Sequence, residues 1–525
     1  MVPLRRARRA VLAAAALASL AAAGESGAQG SPYVPLEDPA YALLDALAAR
    51  GHVRALPLLE RPYTARQIRL ALSADSLRPA RGAVAAWHRA AEASAARYEL
   101  AADRGELRAA AGAVGTAQTS GRRELMLADD ASAVLPGAWG RVEAAAGPVV
   151  VAARAVADAR LARDPEFTGS KKRAVAGRME EGYAAAQWRL GELFVGRQSR
   201  NWGPPRPGGL HLGDYAYSYD QVAGRVGTAG LHLSAVLARL DDFGATPDST
   251  VQRYVALHRI GGRWRQLEFG VSEAVVYGGR GRGLELAYAN PANVFMLSQY
   301  NEGKAGNISY AFDVALRTAA RGTVLGQLLY DDFQIDDCDP ACAEPPSYGL
   351  TVAAEGLPLV GDHRAFASYT RVSNLAYRTP EPLEQYSAFG VGIGRGFSDY
   401  DEARAGVELA VARVAPARLY VAHRRQGEGD YRQPYPAPAD YPATPELLAG
   451  VVMRVTRVAV EAAGRPVPFL AVAADVGVNR VENDGHLRGQ RATRFEGRLR
   501  VSADAPWGMR LRESNSTTTL PSRGP

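Results

Sequence analysis

The chain has 525 residues, 47% of them hydrophobic and 22% charged, and its mean hydropathy of −0.18 resembles that of a soluble protein. Its formal net charge is +7, and removing residues 1–29, which hold four arginines and Glu25, leaves +4. This mild basicity does not indicate a nucleic-acid partner, and no apolar run is long enough for a membrane-spanning helix.

Residues 1–29 have the three parts of a secretory signal peptide. Four arginines between positions 5 and 9 form a positive n-region, and Val11 to Ala23 is an apolar run too short to span a bilayer. Small residues follow, with cleavage expected near Ala28–Ser31. The mature chain is therefore predicted to be exported, which also argues against nucleic acid as a partner.

Residues 30–105 are rich in Ala, Leu and Arg and have the periodicity of amphipathic helices. A first helix is expected to begin at Asp38–Pro39, and a second at Thr64, where Gln67 completes a capping box. The apolar stripe of a third helix consists of Trp87, Ala91, Ala95 and Tyr98. We interpret the segment as a periplasmic scaffold of three helices, with a ligand-binding bundle as the alternative.

Residues 106–512 alternate apolar and polar side chains in short segments that turn residues separate. They predict an all-β transmembrane barrel of roughly 16–18 antiparallel strands, because strands cross a membrane only when closure pairs every backbone group. A large soluble all-β protein is the alternative, and residues 513–525 are interpreted as a polar tail. The clearest alternation occurs in Leu231–Leu237, Leu284–Tyr288, Tyr310–Arg317 and Arg494–Val501.

Two long external loops are predicted, one from Asp331 to Tyr348 and one from Arg424 to Glu446. The two cysteines, Cys338 and Cys342, lie in the first of them. Export to an oxidising compartment predicts a disulfide between them, whereas two cysteines without a nearby histidine are a poor zinc site.

The sequence contains no motif of a catalytic or cofactor site: no Gly-x-Ser-x-Gly, no His-Glu-x-x-His and no phosphate loop. The glycine-rich runs Gly278–Gly283 and Gly390–Gly396 lack a following helix and fit strand or turn glycine better. We therefore predict no enzyme, no cofactor and no metal site. A serine–histidine pair formed only in the folded barrel is the alternative.

The run Gly196–Gly203 combines Arg197, Arg200 and Trp202. An arginine fork suits a carboxylate, and an aromatic ring covers the apolar face of a sugar. These three residues are therefore candidate glycan ligands, although an inward loop braced by Arg and Trp fits the same pattern.

Asp331 and Asp332 follow Tyr330 at a predicted strand end and join the candidate glycan site. Paired carboxylates also suit the binding of a cation, or ion pairs with arginines that line the lumen. Arg494, Arg498 and Arg500 share the polar face of one predicted strand and are expected to line that lumen.

Five motifs resemble the Wzi-like capsule assembly proteins of outer membranes. In chain order they are residues 31–41, 56–66, 195–204, 284–291 and 326–333. The resemblance implies an outer-membrane barrel of about eighteen strands with a periplasmic helical segment. It further implies a lectin-like, non-catalytic protein that holds exported capsular polysaccharide. The polar end of the chain, Ser514–Pro525, departs from barrels that end on an aromatic residue.

The predicted function is therefore the binding or anchoring of surface polysaccharide at the bacterial outer membrane. The predicted partners are that polysaccharide, outer-membrane lipid and the barrel assembly machinery. A passive porin or transport channel is the alternative, and an occupied lumen would argue against it.

Overall fold

The computed structural model describes residues 29–76, 81–244, 250–319, 322–332, 344–410, 413–505 and 509–512, without the side chains of Asp332 and of 509–512. Within them eighteen antiparallel strands form a closed barrel, which confirms the predicted fold class. Cys338, Cys342, the polar tail and all but residue 29 of the signal peptide lie outside the described residues, so these predictions stay open.

Each barrel strand pairs with its neighbours in the chain, and the last strand pairs with the first, between Gly112–Gln118 and Arg498–Asp504. The strands are β1 Glu106–Gln118, β2 Ala133–Ala146, β3 Val149–Asp158, β4 Ala176–Trp188, β5 Gly191–Gln198, β6 Tyr219–Gly227, β7 Leu231–Arg239, β8 Gln252–Trp264, β9 Leu267–Gly279, β10 Asn307–Arg317, β11 Thr323–Asp332, β12 Ser347–Pro358, β13 Arg364–Val372, β14 Tyr400–Leu409, β15 Ala417–Gln426, β16 Met453–Val467, β17 Leu470–Glu482 and β18 Arg491–Asp504, which Met509–Arg512 continues.

The helices are α1 Ala40–Ala48, α2 Ala65–Ser73, α3 Gly82–Ala96, α4 Ala159–Arg163, α5 Leu286–Ala289 and α6 Phe295–Glu302. No helix among the described residues is long and apolar enough to span a bilayer. The capping box at the start of α2 is present, since Thr64 and Gln67 bond each other's backbone N–H groups. The predicted stripe of α3 is buried between the three N-terminal helices, because Trp87 and Ala91 are 0% exposed.

The two ends of the barrel differ in their connections. One end has short turns, such as 147–148, 265–266 and 468–469, and the other has long loops, such as 199–218 and 373–399. Outer-membrane barrels place short turns in the periplasm and long loops outside, so the short turns mark the periplasmic end.

The N-terminal helices lie at this periplasmic end. The N–H of Gly30 donates to the carbonyl of Gly147 at 2.7 Å, and the side chain of Arg97 to the carbonyl of Pro468 at 2.8 Å. The Arg50 guanidinium donates to the carbonyl of Asp362, again in a short turn, at 2.7 Å. The helical segment is thus a cap fastened over the barrel opening.

The alternation of the strands separates a lipid face from a lumen face. On β10, Phe312 and Leu316 are each 45% exposed on the outside, whereas Asp313 is buried in the lumen. On β7, Leu231 points outward and His232 inward, and on β18, Phe495 points outward and Glu496 inward. Three of the four predicted alternating stretches are confirmed.

The fourth stretch, Leu284–Tyr288, was wrongly predicted as a strand. It lies in the external loop 280–306, where the short helix α5 begins at Leu286. Five alternating residues also place positions four apart on one helical face, so a run this short does not distinguish strand from helix. Tyr288 is buried against Tyr277 of the barrel wall, with 4.9 Å between ring centroids.

We expect Phe312→Arg to destabilise the inserted barrel by about 2–4 kcal/mol, because Phe312 faces lipid about 12 Å above the periplasmic end of β10. Leu316→Arg is the matched control, equally exposed and on the same face, and should cost only about 0–1 kcal/mol near the interface. Urea titration in liposomes, followed by heat-modifiable gel mobility, measures both. Equal stability of the two variants would contradict this assignment of the lipid face.

Candidate functional site

The motif Gly196–Gly203 leads from β5 into a loop that folds into the barrel. Asn201 and Trp202 form a two-residue strand with Arg61 and Glu60 of the N-terminal segment. The backbone N–H of Trp202 donates to Leu212 at 2.8 Å, and the side chain of Gln327 donates to the Trp202 carbonyl at 3.0 Å. Trp202 is 4% exposed. Its ring therefore packs inside the lumen and has no open face for a sugar.

The other predicted ligand residues lie apart from one another. Arg197 bonds the carboxylate of Asp220 at 2.8 Å near the barrel surface. Arg200 donates to Gln221 at 2.7 Å and lies over the ring of Phe194 at 4.6 Å. The structure does not bring these arginines and Trp202 together as one binding surface.

Asp331 braces a second inward loop, 373–399. Its carboxylate accepts hydrogen bonds from the backbone N–H of Tyr377 at 2.5 Å and from the hydroxyl of Ser347 at 3.1 Å, and it is 2% exposed. Asp332 ends β11, opposite Ser347, with its side chain outside the described part. In the described ranges, no group of three His, Cys, Asp or Glu residues is arranged to hold a metal ion.

A buried charge network fixes the N-terminal segment to the inner wall. Arg259 of β8 forms a two-pronged ion pair with Asp313 of β10, and their side chains are 1% and 0% exposed. Arg259 also reaches Glu60 at 3.3 Å, and His232 bonds Glu60 at 2.5 Å. Burial opposes ionisation of Glu60, but His232 and Arg259 lower the pKa of this carboxyl to about 2.

The inward loop 199–218 is fixed to the same wall through His211. Its ring nitrogens lie 2.8 Å from the hydroxyl of Ser272 and 3.1 Å from that of Ser309. Burial and the nearby Arg259 lower the pKa of His211 to about 3, so the ring is neutral. The loop is thus packed against β8–β11 and fills that side of the lumen.

The opposite side of the lumen, along β14–β18, holds a cavity of about 600 Å³. Nine arginines and six carboxylates line it, so its charge is positive. The arginines are Arg123, Arg206, Arg395, Arg404, Arg418, Arg424, Arg457, Arg498 and Arg500, and the carboxylates are Glu124, Asp214, Glu402, Glu408, Glu461 and Asp475. Four aromatic residues, Tyr215, Phe397, Tyr400 and Tyr420, also line the cavity, together with small and apolar residues.

Ion pairs and aromatic rings hold the cavity arginines in place. Arg404 bonds Glu461 at 2.7 Å and lies 3.6 Å from the centre of the Tyr420 ring, and Arg206 bonds the other oxygen of Glu461. Arg424 pairs with Glu402 at 3.1 Å. Such preorganised guanidinium groups suit an anionic ligand, because little side-chain freedom remains to be lost.

Two cavity arginines have no carboxylate within ion-pair distance among the described residues. Arg395 donates to the Tyr400 hydroxyl at 3.2 Å and to a backbone carbonyl, and Arg498 donates to the carbonyls of Arg122 and Arg123. Their charges are therefore only partly compensated by the protein. The predicted inward position of Arg498 and Arg500 is confirmed by the cavity lining.

A second cavity of about 300 Å³ lies between the first one and the external loops 427–452 and 483–490. Met126 and Phe397 line both cavities, and Arg494 lines the outer one. Glu124, which lines the first cavity, is half-buried; desolvation opposes its ionisation, but Arg424 and the backbone N–H of Met126 lower the pKa of its carboxyl below the ordinary value. A ligand from outside thus meets the outer cavity before the arginine-lined one.

Most of these cavity residues were missed in the sequence analysis. A signal was present, since ionisable residues occupy alternate positions of β14 and β15: Glu402, Arg404 and Glu408, then Arg418 and Arg424. Alternate charges in strands of a membrane barrel indicate its lumen face. The sequence does not show which lumen positions stay open, because loops from distant parts of the chain decide that.

The chain is similar in sequence and in fold to known barrels. The family model "Capsule assembly protein Wzi" matches residues 141–347. No curated protein matches the chain. Wzi of Escherichia coli, described as an outer membrane protein involved in group 1 capsule assembly and a carbohydrate-binding β-barrel, shares the fold. It has 14% identity and a TM-score of 0.61, over 91% of this chain and 100% of that one.

Two further solved structures are similar over a smaller part. OprD of Pseudomonas aeruginosa has 11% identity and a TM-score of 0.42, over 78% of this chain and 96% of that one. The outer membrane channel DcaP of Acinetobacter baumannii has 10% identity and a TM-score of 0.36, over 76% and 96%. The family match and the shared fold with the E. coli barrel confirm the resemblance to the Wzi-like capsule assembly proteins.

Proposed function

We propose that this protein is an outer-membrane barrel that binds exported surface polysaccharide without chemical conversion. In this proposal, acidic sugar residues enter between the external loops and reach the arginine-lined cavity along β14–β18. The observation that most directly supports this proposal is the excess of arginines over carboxylates around the 600 Å³ cavity. The E. coli relative, a carbohydrate-binding barrel, supports the ligand class.

The geometry also supports this proposal over that of a passive porin. A porin conducts through an open, polar lumen. Here the N-terminal segment, loop 199–218 and loop 373–399 occupy the lumen, and the residues at their junction, such as Trp202, Leu210 and Tyr377, are buried. A barrel filled in this way retains a ligand better than it passes solutes.

This proposal changes the roles of the residues that the sequence analysis named as glycan ligands, which are Arg197, Arg200, Trp202, Asp331 and Asp332. We propose that Trp202 and Asp331 shape the site indirectly, because they fix the two inward loops, which contribute Arg206 and Arg395 to the cavity lining. Arg197 and Arg200 remain candidates for a peripheral sugar contact at the mouth of β5 and β6.

We expect Arg404→Gln and Arg206→Gln each to weaken binding of polygalacturonate by about tenfold or more, because a hydrogen bond to a charged group contributes about 1.5–3 kcal/mol. Both guanidinium groups flank Glu461 and are partly exposed to the cavity, by 25% and 35% of their side chains. Binding of the unchanged protein should also weaken as salt rises, since salt screens exposed charges. Titration calorimetry in detergent measures both effects.

The matched control is Arg480→Gln, at the external end of β17 and with 70% of its side chain exposed. It removes the same charge without touching the cavity and should bind as the unchanged protein does. Neutral dextran controls for the ligand. If the cavity variants bind polygalacturonate as tightly as the control, the acidic-glycan site does not lie in this cavity.

A further inference from the structure

The external loop 280–306 packs against the outside of the barrel wall. Tyr254 and His258 of β8 share a strand face with Ile260 and Trp264, which are 52% and 65% exposed and point away from the lumen. Tyr254 is nevertheless only 7% exposed, because aromatic residues of the loop cover this part of the wall. The ring of Phe295 in α6 lies 4.4 Å from that of His258, between centroids.

An outward-facing carboxylate fastens the loop to the wall. Glu273 of β9 lies on the same face as Val271, which is 44% exposed on the outside. It accepts hydrogen bonds from the backbone N–H groups of Phe295 at 2.9 Å and Met296 at 3.0 Å, and it pairs with His258 at 3.1 Å. The N-terminus of α6 therefore satisfies a charge that would otherwise face lipid at high cost.

The fastening lies within the membrane-spanning part of the wall. His258 is six residues from Trp264, at the periplasmic end of β8. With strands tilted by about 45°, each residue adds about 2.4 Å of height, so the pair lies about 14 Å into an apolar band about 25 Å tall. The loop thus covers the wall at the level of the outer leaflet.

The surface that this loop turns outward is apolar. Its exposed large hydrophobic residues are Leu284 at 61%, Leu286 at 85%, Val294 at 44%, Leu297 at 52% and Tyr300 at 61%. The external loops 373–399 and 427–452 have similar lengths and are described in full, yet neither exposes a large hydrophobic side chain. Exposed apolar patches of this kind mark a binding surface rather than a water-facing loop.

We propose that loop 280–306 is embedded in the outer leaflet, where its apolar face binds lipid acyl chains. The exposed patch continues the lipid-facing surface formed by Ile260 and Phe312 on the adjacent wall. Arg280 is exposed and Lys304 partly exposed at the two ends of the loop, where they suit lipid phosphates. In this arrangement the lipid shields the loop, and the loop shields the His258–Glu273 pair.

The test places a fluorescent label on Leu297→Cys, in a background with Cys338→Ser and Cys342→Ser, and reconstitutes the full barrel in phosphatidylcholine liposomes. Brominated phosphatidylcholine quenches labels in the acyl region, and aqueous iodide quenches labels in water. Phe312→Cys is the lipid-facing control. Leu487→Cys, 62% exposed on loop 483–490, is the external-loop control with similar exposure.

We expect brominated lipid to quench the Leu297 label as strongly as the Phe312 label, and iodide to quench only the Leu487 label. Leu286→Cys, whose side chain is 85% exposed and packs little, repeats the measurement without disturbing the fold. Quenching of the labels at Leu297 and Leu286 by iodide overturns the proposal. Protection from both quenchers, with cross-linking between barrels that rises with protein density, also overturns it and assigns the face to a second copy.

Discussion

Replacing Trp202 with alanine is expected to lower the free energy of unfolding by about 3–5 kcal/mol, the cost of removing a large buried aromatic side chain. The same variant should make a closed barrel conduct ions. Trp202 lies where loop 199–218 pairs with the N-terminal segment, so its loss loosens two of the elements that fill the lumen. Planar-bilayer recording and urea titration measure the two effects on one preparation.

The control is Trp188→Ala, at the end of β4, where the ring is 44% exposed outside the barrel. It removes the same side chain and should leave the barrel stable and closed. The unchanged protein should show no steady conductance. A steady conductance in the unchanged protein would favour the porin, whereas a stable and closed Trp202→Ala barrel would contradict the plug function of the inward loop.

Replacing Asp313 with alanine is expected to cost about 3–5 kcal/mol, because it leaves the buried charge of Arg259 without its main partner. Among the residues that the structure describes, Glu60 is then the carboxylate left near Arg259, at 3.3 Å, and it is already shared with His232. The N-terminal segment should detach more easily, since Glu60 anchors it to the wall. Limited proteolysis near residues 50–65 and urea titration measure this change.

The double variant Asp313→Ala with Arg259→Met is the decisive control. It removes both charges and keeps an apolar side chain of similar length, so it should recover most of the lost stability. If the double variant is as unstable as Asp313→Ala alone, the cost comes from lost packing rather than from an unpaired charge.

These effects follow from a division of the lumen into two sides. Along β8–β11, aromatic residues and a charge network hold the inward loops, and along β14–β18, arginines surround an open cavity. Substitutions on the first side should therefore change stability and conductance, and those on the second should change glycan binding. Loop 199–218 links the two sides, since its Arg206 lines the cavity.

The sequence by itself determined the architecture, because strand alternation and helix capping are local. On β10, Phe312 and Asp313 are neighbours in the chain, and their chemistry alone predicts which one faces lipid. The capping box of Thr64 and Gln67 involves residues three positions apart. The five family motifs likewise predicted the resemblance that the comparisons confirm.

Only the tertiary structure decided which polar residues have an open surface. Arg197, Arg200 and Trp202 are close in sequence, yet the ring of Trp202 is packed in the lumen while Arg197 lies near the surface. The cavity joins residues from loop 119–132 to residues of β18, hundreds of positions apart. The physical reason is that the burial of a side chain and its ion pairs depend on which distant strands and loops come into contact when the barrel closes. Local periodicity does not specify those long-range contacts.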